Sequence, residues 1–151
     1  MHLGELTRPD LIFPDLAGSD TPTILRALAD RLAAHGLVED PDDLYRRLFE
    51  REELCSTAIG GGVAIPHCKV DNLDRVALAV GISGREIDFG ADDKQPVHLF
   101  FLIVSPADDP AAHLKALAAV SKWLKADNHS ARITGLQDAA AIYDLLQTEY
   151  A

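Results

Sequence analysis

The stretch Val97–Val104, VHLFFLIV, decides the class of fold that this chain can adopt. It is apolar throughout except for His98, whereas a strand with one face in water alternates apolar and polar residues. A second run of strand length, Val76–Ile82, is almost as continuous. Strands that are apolar on both faces belong inside a sheet covered on both sides, so the two runs predict a layered α/β fold.

Two helices are predicted before these strands. A capping aspartate, a first-turn proline and apolar residues at helical spacing predict the first over about 22–35. The same start signal at Asp40-Pro41 predicts a second helix, which should end between residues 50 and 53. Beyond it the periodicity is lost over 54–62, which predicts a loop, and Val63–Ile65 predicts a short strand.

Two more helices are predicted after the strands. Asp108-Asp109-Pro110 opens one that should end near Lys125, and Asp138 is expected to cap the last. The buried stripe of the first of these is expected to consist of large apolar residues at helical spacing: Leu114, Leu117, Val120 and Leu124. We therefore expect a single mixed sheet of about five strands sandwiched between helices.

Length and composition exclude several classes of protein. The 151 residues fit one domain, 1–151, and 48% hydrophobic with 25% charged residues excludes intrinsic disorder. A formal net charge of −10 argues against a nucleic-acid partner, and no run approaches the roughly 18 apolar residues that span a bilayer. We therefore expect a cytoplasmic protein without membrane insertion, in which Cys55 and Cys68 are free thiols.

The loop after the second helix has the composition of an anion-binding site. The hydroxyls of Ser56 and Thr57 and the backbone amides of Gly60, Gly61 and Gly62 can donate hydrogen bonds to phosphate oxygens. Glycine also permits a close, concave approach of the backbone. A tight turn explains the same glycines without any ligand, so the residues alone leave both interpretations open.

Three side chains near this loop or on a helix end can take part in phosphate chemistry. His67 directly follows the short strand, although a histidine packed at a strand end is the simpler interpretation. Arg51 lies 16 residues earlier, and a guanidinium binds phosphate bidentately, although an ion pair with a neighbouring glutamate is simpler. His113 falls in a first helical turn, which favours anions, although a neutral surface histidine is again simpler.

The other four histidines are interpreted as structural. His2 is terminal, His35 lies at a helix end, and His129 lies in a polar stretch where exposed histidines are common. His98 interrupts the buried run, where a hydrogen-bonded core histidine is expected.

A longer motif joins the loop to His67. Glu52 is followed at fixed spacing by Ile59-Gly60 and then by Val63-Ala64-Ile65-Pro66-His67-Cys68. This pattern resembles the phosphorylation-site signature of the mannitol/fructose type of enzyme IIA (EIIA type 2) in the bacterial phosphoenolpyruvate-dependent phosphotransferase system. The likeness extends over nearly the whole chain, through Gln95-Pro96-Val97 and His113-Leu114.

The resemblance implies a role for each candidate residue. His67 is implied to accept the phosphoryl group on Nε2, Arg51 to neutralise the phosphate, and His113 to be the second active-site histidine. The chain is implied to be a phosphoryl carrier with a phosphohistidine intermediate rather than a free-standing turnover enzyme, and it needs no metal or cofactor. The family's fold agrees with the sandwiched mixed sheet expected above.

The stretch from Arg51 to Gly62 most resembles the free-standing nitrogen-regulatory branch of the family. That likeness implies a histidine phosphocarrier protein as phosphoryl donor, charged in turn by an enzyme I that uses phosphoenolpyruvate. It also implies regulatory protein targets such as sensor kinases or potassium transporters. The alternative is a sugar-specific enzyme IIA for fructose or mannitol, which passes the phosphate to a membrane permease. No transporter domain lies within the 151 residues, which favours the regulatory role.

Three residues depart from the family pattern. Cys55 and Cys68 stand where glycine is usual in that branch, and His98 stands where an acid is common. Cys68 is expected to restrict the backbone beside His67 and to add a point of oxidation. A metal or thiol site on the two cysteines and His67 is disfavoured, because the cysteines lack the short paired spacing of zinc sites. A binding module in which His67 is never phosphorylated is the remaining alternative.

Overall fold

The computed structural model describes residues 2–126 and 128–148, in which six strands form one sheet. The strands are β1 (Ile12–Leu16), β2 (Ala58–Gly60), β3 (Val63–Ala64), β4 (His67–Val70), β5 (Ala77–Ile87) and β6 (Val97–Pro106). The helices are α1 (Thr21–Ala34), α2 (Pro41–Leu54), α3 (Pro110–Lys125), α4 (His129–Thr134) and α5 (Ala139–Leu146). Two 3₁₀ turns, Leu3–Glu5 and Pro9–Leu11, precede β1.

Strand β6 organises the sheet because it pairs with three others. It runs antiparallel to β5, which pairs in parallel with β1. On its other side β6 pairs in parallel with both β3 and β4, which lie end to end, and β2 forms a hairpin with β3 at the edge. The sheet is therefore mixed and five strands wide, which confirms the expected architecture.

Helices cover both faces of this sheet, as the apolar runs predicted. Phe100 and Leu102 of β6 pack in a core with α1 and α2. Phe101 and Ile103 point to the other side, into a core with α3, α4 and α5. Since adjacent residues of one strand fill two separate cores, no position in the middle of β6 can be polar without cost.

Of the four helices predicted from the sequence (α1, α2, α3 and α5), three begin with the expected capping hydrogen bond. Asp20, Asp40 and Asp109 each accept a backbone amide of the first turn that follows. At α1 the bond is reciprocal, because the hydroxyl of Thr23 accepts the amide of Asp20. Asp138 occupies the N-cap position of α5 but makes no side-chain capping hydrogen bond, so the expected cap is absent there.

Three strands were not predicted from the sequence pattern. Part of the predicted loop 54–62 is β2, which has three residues and is too short to show a period. His67 does not directly follow β3 but begins a separate strand, β4, after the two residues that follow β3. Strand β1 was not predicted, because its five residues include a proline and an aspartate.

The buried face of α3 differs from the predicted stripe. Leu114 is 66% exposed and Leu117 is only partly buried, whereas His113, Ala116 and Trp123 are buried. The helix is therefore rotated relative to the prediction, although Val120 and Leu124 are buried as expected. Large apolar side chains alone did not define the face, because a histidine and a small alanine occupy it.

Two of the structural histidines lie in surroundings that the sequence did not predict. His129 is fully buried rather than exposed: its ring stacks on Trp123 at 4.0 Å, and its Nδ1 lies 2.7 Å from the carbonyl oxygen of Trp123. His98 is only half-buried, and its side chain makes no hydrogen bond among the described residues. It packs instead against Gly62.

Within residues 2–126 and 128–148, none of the helices has the length and apolar character needed to cross a membrane.

Candidate functional site

His67 begins β4 at the face of the sheet that α3 covers, paired in register with Ile103. Its Nδ1 lies 2.7 Å from the carbonyl oxygen of Ile65. A carbonyl oxygen only accepts hydrogen bonds, so Nδ1 carries the proton. The other ring nitrogen, Nε2, is then left with a lone pair.

His113 lies beside His67, although the two are 46 positions apart in the chain. The ring centroids are 5.4 Å apart and the ring planes are tilted by 53°. His113 is 6% exposed, and its Nδ1 lies 2.7 Å from Oγ of Ser105 at the end of β6. The simpler interpretation of His113 as a surface histidine is therefore wrong, because α3 turns it inward onto the sheet.

Both imidazoles are biased toward the neutral form. Burial lowers the pKa of His67, and the charge of Arg51 lowers it further, against the opposing effect of the Ile65 carbonyl. Burial, followed by the charges of His67 and Lys69, lowers the pKa of His113 to about 4. At neutral pH the site therefore contains two uncharged rings, one of which presents an unprotonated nitrogen.

Arg51 lies in the last turn of α2 and supplies positive charge to this site. Its Nη1 donates to the carbonyl oxygen of Cys55 at 2.8 Å, which fixes the side chain across the end of its own helix. Among the described residues Arg51 forms no ion pair, so the simpler interpretation with a neighbouring glutamate is wrong. The guanidinium charge acts on both Glu52 and His67, and it can attract an anion near His67.

A relay of hydrogen bonds connects Glu52 to His67. The two carboxylate oxygens of Glu52 accept the amide and the hydroxyl of Thr57, each at 2.6 Å. The carbonyl of Thr57 accepts the amide of Ile65, whose own carbonyl holds Nδ1 of His67. Glu52 thus holds Thr57 in place, Thr57 holds Ile65, and the carbonyl of Ile65 orients the ring of His67.

The hydroxyl donors expected from Ser56 and Thr57 are engaged within the protein. Ser56 donates to the carbonyl oxygen of Phe89 at 2.6 Å, and Thr57 donates to Glu52. Each hydroxyl has only one hydrogen to give. In this structure the two side chains therefore stabilise the loop and offer no free O–H to a phosphate.

The glycine triplet lies away from His67, which corrects the expectation that its amides line the phosphate site. The carbonyl of Gly62 accepts the amides of His98 and Leu99, whereas His67 pairs with Ile103. Five residues of extended strand separate these points, or roughly 16 Å at about 3.3 Å per residue. Gly60, Gly61 and Gly62 instead form the β2–β3 turn, all at positive φ, and the amide of Gly61 donates to Asp93.

The two cysteines also lie apart from the face of the sheet that carries His67. Side chains alternate along β4, so Cys68 points to the opposite side from His67 and, partly buried, packs against the core that contains α1 and α2. Burial raises the pKa of the Cys68 thiol to about 12. Cys55 is exposed at the end of α2. No group of three or more His, Cys, Asp or Glu in the described part of the chain is arranged to hold a metal ion.

Two residues of the site were missed by the sequence reasoning. Lys69 follows His67 by two positions on β4, which places it on the same face, and its charge acts on His113. Ser105 lies opposite Lys69 in the β4–β6 register and is fully buried. If β4 had been predicted, the alternation of side chains along it would have placed Lys69 on the same face as His67. For Ser105, the only indication in the sequence is that a serine ends an apolar run.

Two exposed leucines adjoin the site in sequence. Leu54, 82% exposed, precedes Cys55 at the end of α2, and Leu114, 66% exposed, follows His113 in α3. Exposed apolar side chains of this kind are typical of surfaces that bind a second protein.

A family model matches nearly the whole chain. The model described as "Phosphoenolpyruvate-dependent sugar phosphotransferase system, EIIA 2" matches residues 5–149.

Relatives and solved structures point the same way. The chain is 36% identical over 146 residues to the nitrogen regulatory protein of Bradyrhizobium diazoefficiens, covering 97% of this chain and 95% of that protein. It is 33% identical over 119 residues to the fructose-specific EIIA component of Haloferax volcanii, covering 79% and 77%. The crystal structure of nitrogen regulatory protein IIA-Ntr from Neisseria meningitidis superimposes with a TM-score of 0.87 at 24% identity, covering 95% of this chain and 98% of that one.

Proposed function

Because the chain belongs to the EIIA type 2 family of the phosphoenolpyruvate-dependent sugar phosphotransferase system, we propose that His67 accepts a phosphoryl group from a histidine phosphocarrier protein. The observation that carries this proposal is the hydrogen bond from Nδ1 of His67 to the Ile65 carbonyl. It holds the ring in the tautomer whose Nε2 is a nucleophile and directs that nitrogen away from the backbone.

The transfer needs no separate acid or base. The lone pair on Nε2 of His67 forms a bond to phosphorus as the P–N bond to the donor histidine breaks, and that electron pair returns to the donor ring. The proton on Nδ1 of His67 stays in its hydrogen bond throughout. One P–N bond replaces another, so the free-energy change is small and catalysis reduces to alignment and charge neutralisation.

The charges around His67 suit this step. The transferred group carries negative charge on its oxygens, which Arg51 and Lys69 neutralise from two different elements, α2 and β4. Each cation acts on one of the two rings: Arg51 lowers the pKa of His67, and Lys69 lowers that of His113. The ring centroids of His113 and His67 are 5.4 Å apart, so His113 is within reach of a phosphoryl group on His67.

A direct test is intact-mass measurement after incubation with enzyme I, the phosphocarrier protein and phosphoenolpyruvate. The wild type should gain one phosphoryl group, and His67→Ala should gain none. His35→Ala is the matched control, because His35 lies at the end of α1 and stacks on Phe13; it should gain the phosphoryl group normally. An unchanged mass of the wild type would refute the proposal.

The output of the phosphorylation is proposed to be regulatory. Phosphorylation adds about two negative charges at one surface point, which is enough to decide whether a target protein binds. The 36% identity to a nitrogen regulatory protein over nearly the full length of both chains supports this role.

The similarity to a fructose-specific EIIA component supports the alternative role in sugar transport. The two roles separate when the phosphorylated protein is incubated with membranes and fructose or mannitol. The regulatory role predicts that the phosphoryl group remains on the protein. Rapid formation of sugar phosphate would contradict it.

A further inference from the structure

Ser105 is a polar residue at the end of an apolar, buried run in β6. It is 0% exposed near the end of β6, directly after six consecutive buried residues. Its hydroxyl has one recorded partner among the described residues, Nδ1 of His113, at 2.7 Å. A buried hydroxyl is retained where its hydrogen bond matters, because desolvating it costs free energy.

The direction of this hydrogen bond follows from counting hydrogens. If Nδ1 of His113 donated, the hydroxyl would accept, and its own hydrogen would have no acceptor in a fully buried place. An unsatisfied buried donor costs about 1–3 kcal/mol. If the hydroxyl donates instead, the only groups without a partner are lone pairs of its oxygen, and the free-energy cost is smaller than that of an unsatisfied donor. The hydroxyl of Ser105 is therefore the donor.

A donor at Nδ1 determines where the single proton of the neutral ring lies. The proton must be on Nε2, which is on the far side of the ring from Ser105. Nε2 has no hydrogen-bond partner among the described residues and is not among the buried unsatisfied atoms, so it reaches the surface of the site. The low pKa of His113, about 4, means that the ring is neutral and that its tautomer matters at physiological pH.

Resting on the proposed function, we propose that Ser105 is a positioning residue, which holds His113 in the Nε2–H tautomer so that this N–H donates to an oxygen of the phosphoryl group on His67. The two rings are then complementary. A backbone carbonyl leaves a lone pair on Nε2 of His67, and a hydroxyl leaves a proton on Nε2 of His113. The opposite tautomer of His113 would present a lone pair to negatively charged oxygens.

The tautomers are measurable in the unphosphorylated protein by long-range ¹H–¹⁵N correlation of ¹⁵N-labelled histidine side chains. In a neutral ring the unprotonated nitrogen resonates well downfield of the protonated one. We expect unprotonated Nδ1 in His113 and unprotonated Nε2 in His67. An unprotonated Nε2 in His113 of the wild type would overturn the inference even if His67 is phosphorylated normally, so this test is separate from that of the proposed function.

Variants of Ser105 connect the tautomer to the reaction. Ser105→Ala should shift His113 toward the Nδ1–H tautomer or a mixture, leave the tautomer of His67 unchanged, and slow phosphoryl transfer roughly tenfold, less than the 10²–10³ for outright loss of a donor. Ser105→Thr keeps the hydroxyl and should retain the wild-type tautomer. Ser83→Ala is the matched control, since Ser83 is also a buried strand serine but bonds only the amide of Arg85.

A double-mutant cycle shows whether Ser105 acts through His113. In a His113→Ala background Ser105→Ala should change the transfer rate less than twofold, because no ring is left to orient. An equal tenfold loss in both backgrounds would show a general structural role and overturn the inference. The same cycle followed by urea unfolding separates a loss of stability from a loss of rate.

Discussion

At the scale of single residues, neighbours in the chain have unrelated roles because a strand directs them to opposite faces. His67 faces α3 and the second histidine, whereas Cys68 packs into the core beneath α1 and α2. The departure from the family pattern at Cys68 therefore adds a core side chain and no reactive group beside the proposed phosphoryl acceptor. Partial burial protects the Cys68 thiol from oxidation, whereas Cys55 is exposed and is the more accessible thiol.

The thiols should differ sharply in reactivity toward a disulfide reagent at pH 8. With a pKa of about 12, the Cys68 thiol is ionised to about one part in ten thousand at that pH. The folded wild type should therefore release one equivalent of chromophore quickly, and the unfolded protein two. Folded Cys55→Ser should release none in the same time, and folded Cys68→Ser one. Two fast thiols in the folded wild type would contradict the placement of Cys68.

At the scale of elements, the hairpin β2–β3 and the strand β4 have separate functions although one short segment connects them. Strands β3 and β4 lie end to end beside β6, so the glycine turn lies near the start of β6 and His67 lies beside Ile103, further along the same strand. The turn is held by Asp93 and His98, away from the ring of His67. Its glycines are explained by backbone geometry rather than by a ligand.

Gly62→Ala should destabilise the protein without disabling the site. Gly62 has φ of +82°, and a Cβ there would lie 2.5 Å from Cε1 of His98. We expect the free energy of unfolding in urea to fall by about 2 kcal/mol, from backbone strain and displacement of His98. The phosphorylation rate of the folded variant should stay within about twofold of wild type.

Two controls sharpen this test. Gly84→Ala in β5 should change stability little, because its Cβ would meet nothing within 4 Å. His98→Ala should restore part of the stability lost in Gly62→Ala, since it removes the clash and leaves only the strain. A large loss of phosphorylation in a stable Gly62→Ala variant would contradict the separation of turn and site.

At the scale of the whole molecule, the net charge and the local charge of the site have opposite signs. The chain carries a formal net charge of −10, whereas Arg51 and Lys69 supply positive charge beside His67. The long-range field favours a partner with a basic rim, and the local field favours the anionic group that the partner delivers.

Phosphorylation by the carrier protein should therefore slow as salt is added. Raising the ionic strength from about 10 mM to about 100 mM shortens the screening length from about 30 Å to about 10 Å. We expect the association rate constant, measured by rapid mixing at low protein concentration, to fall severalfold. The rate at saturating carrier should change little, because short contacts are screened less. A rate constant for association that rises with salt would show that the partner is repelled.

The sequence alone determined the layered architecture, three of the helix caps and the candidate side chains. Two apolar runs required cover on both faces, and this requirement does not depend on how distant parts of the chain meet. The motif from Glu52 to Cys68 was also legible as residues at fixed spacing. The role of each residue in that motif could not be predicted, because the glycine turn and His67 lie at different places along β6.

Only the tertiary structure decided the composition of the site. The register of β4 on β6 places His67 and Lys69 on one face, and the turn into α3 brings His113 over Ser105. The contact that results between His67 and His113 joins residues 46 positions apart, and local periodicity carries no information about it. The tautomers of the two histidines depend in turn on which backbone or hydroxyl oxygen each ring meets, so they are a property of the folded chain and of no segment of it.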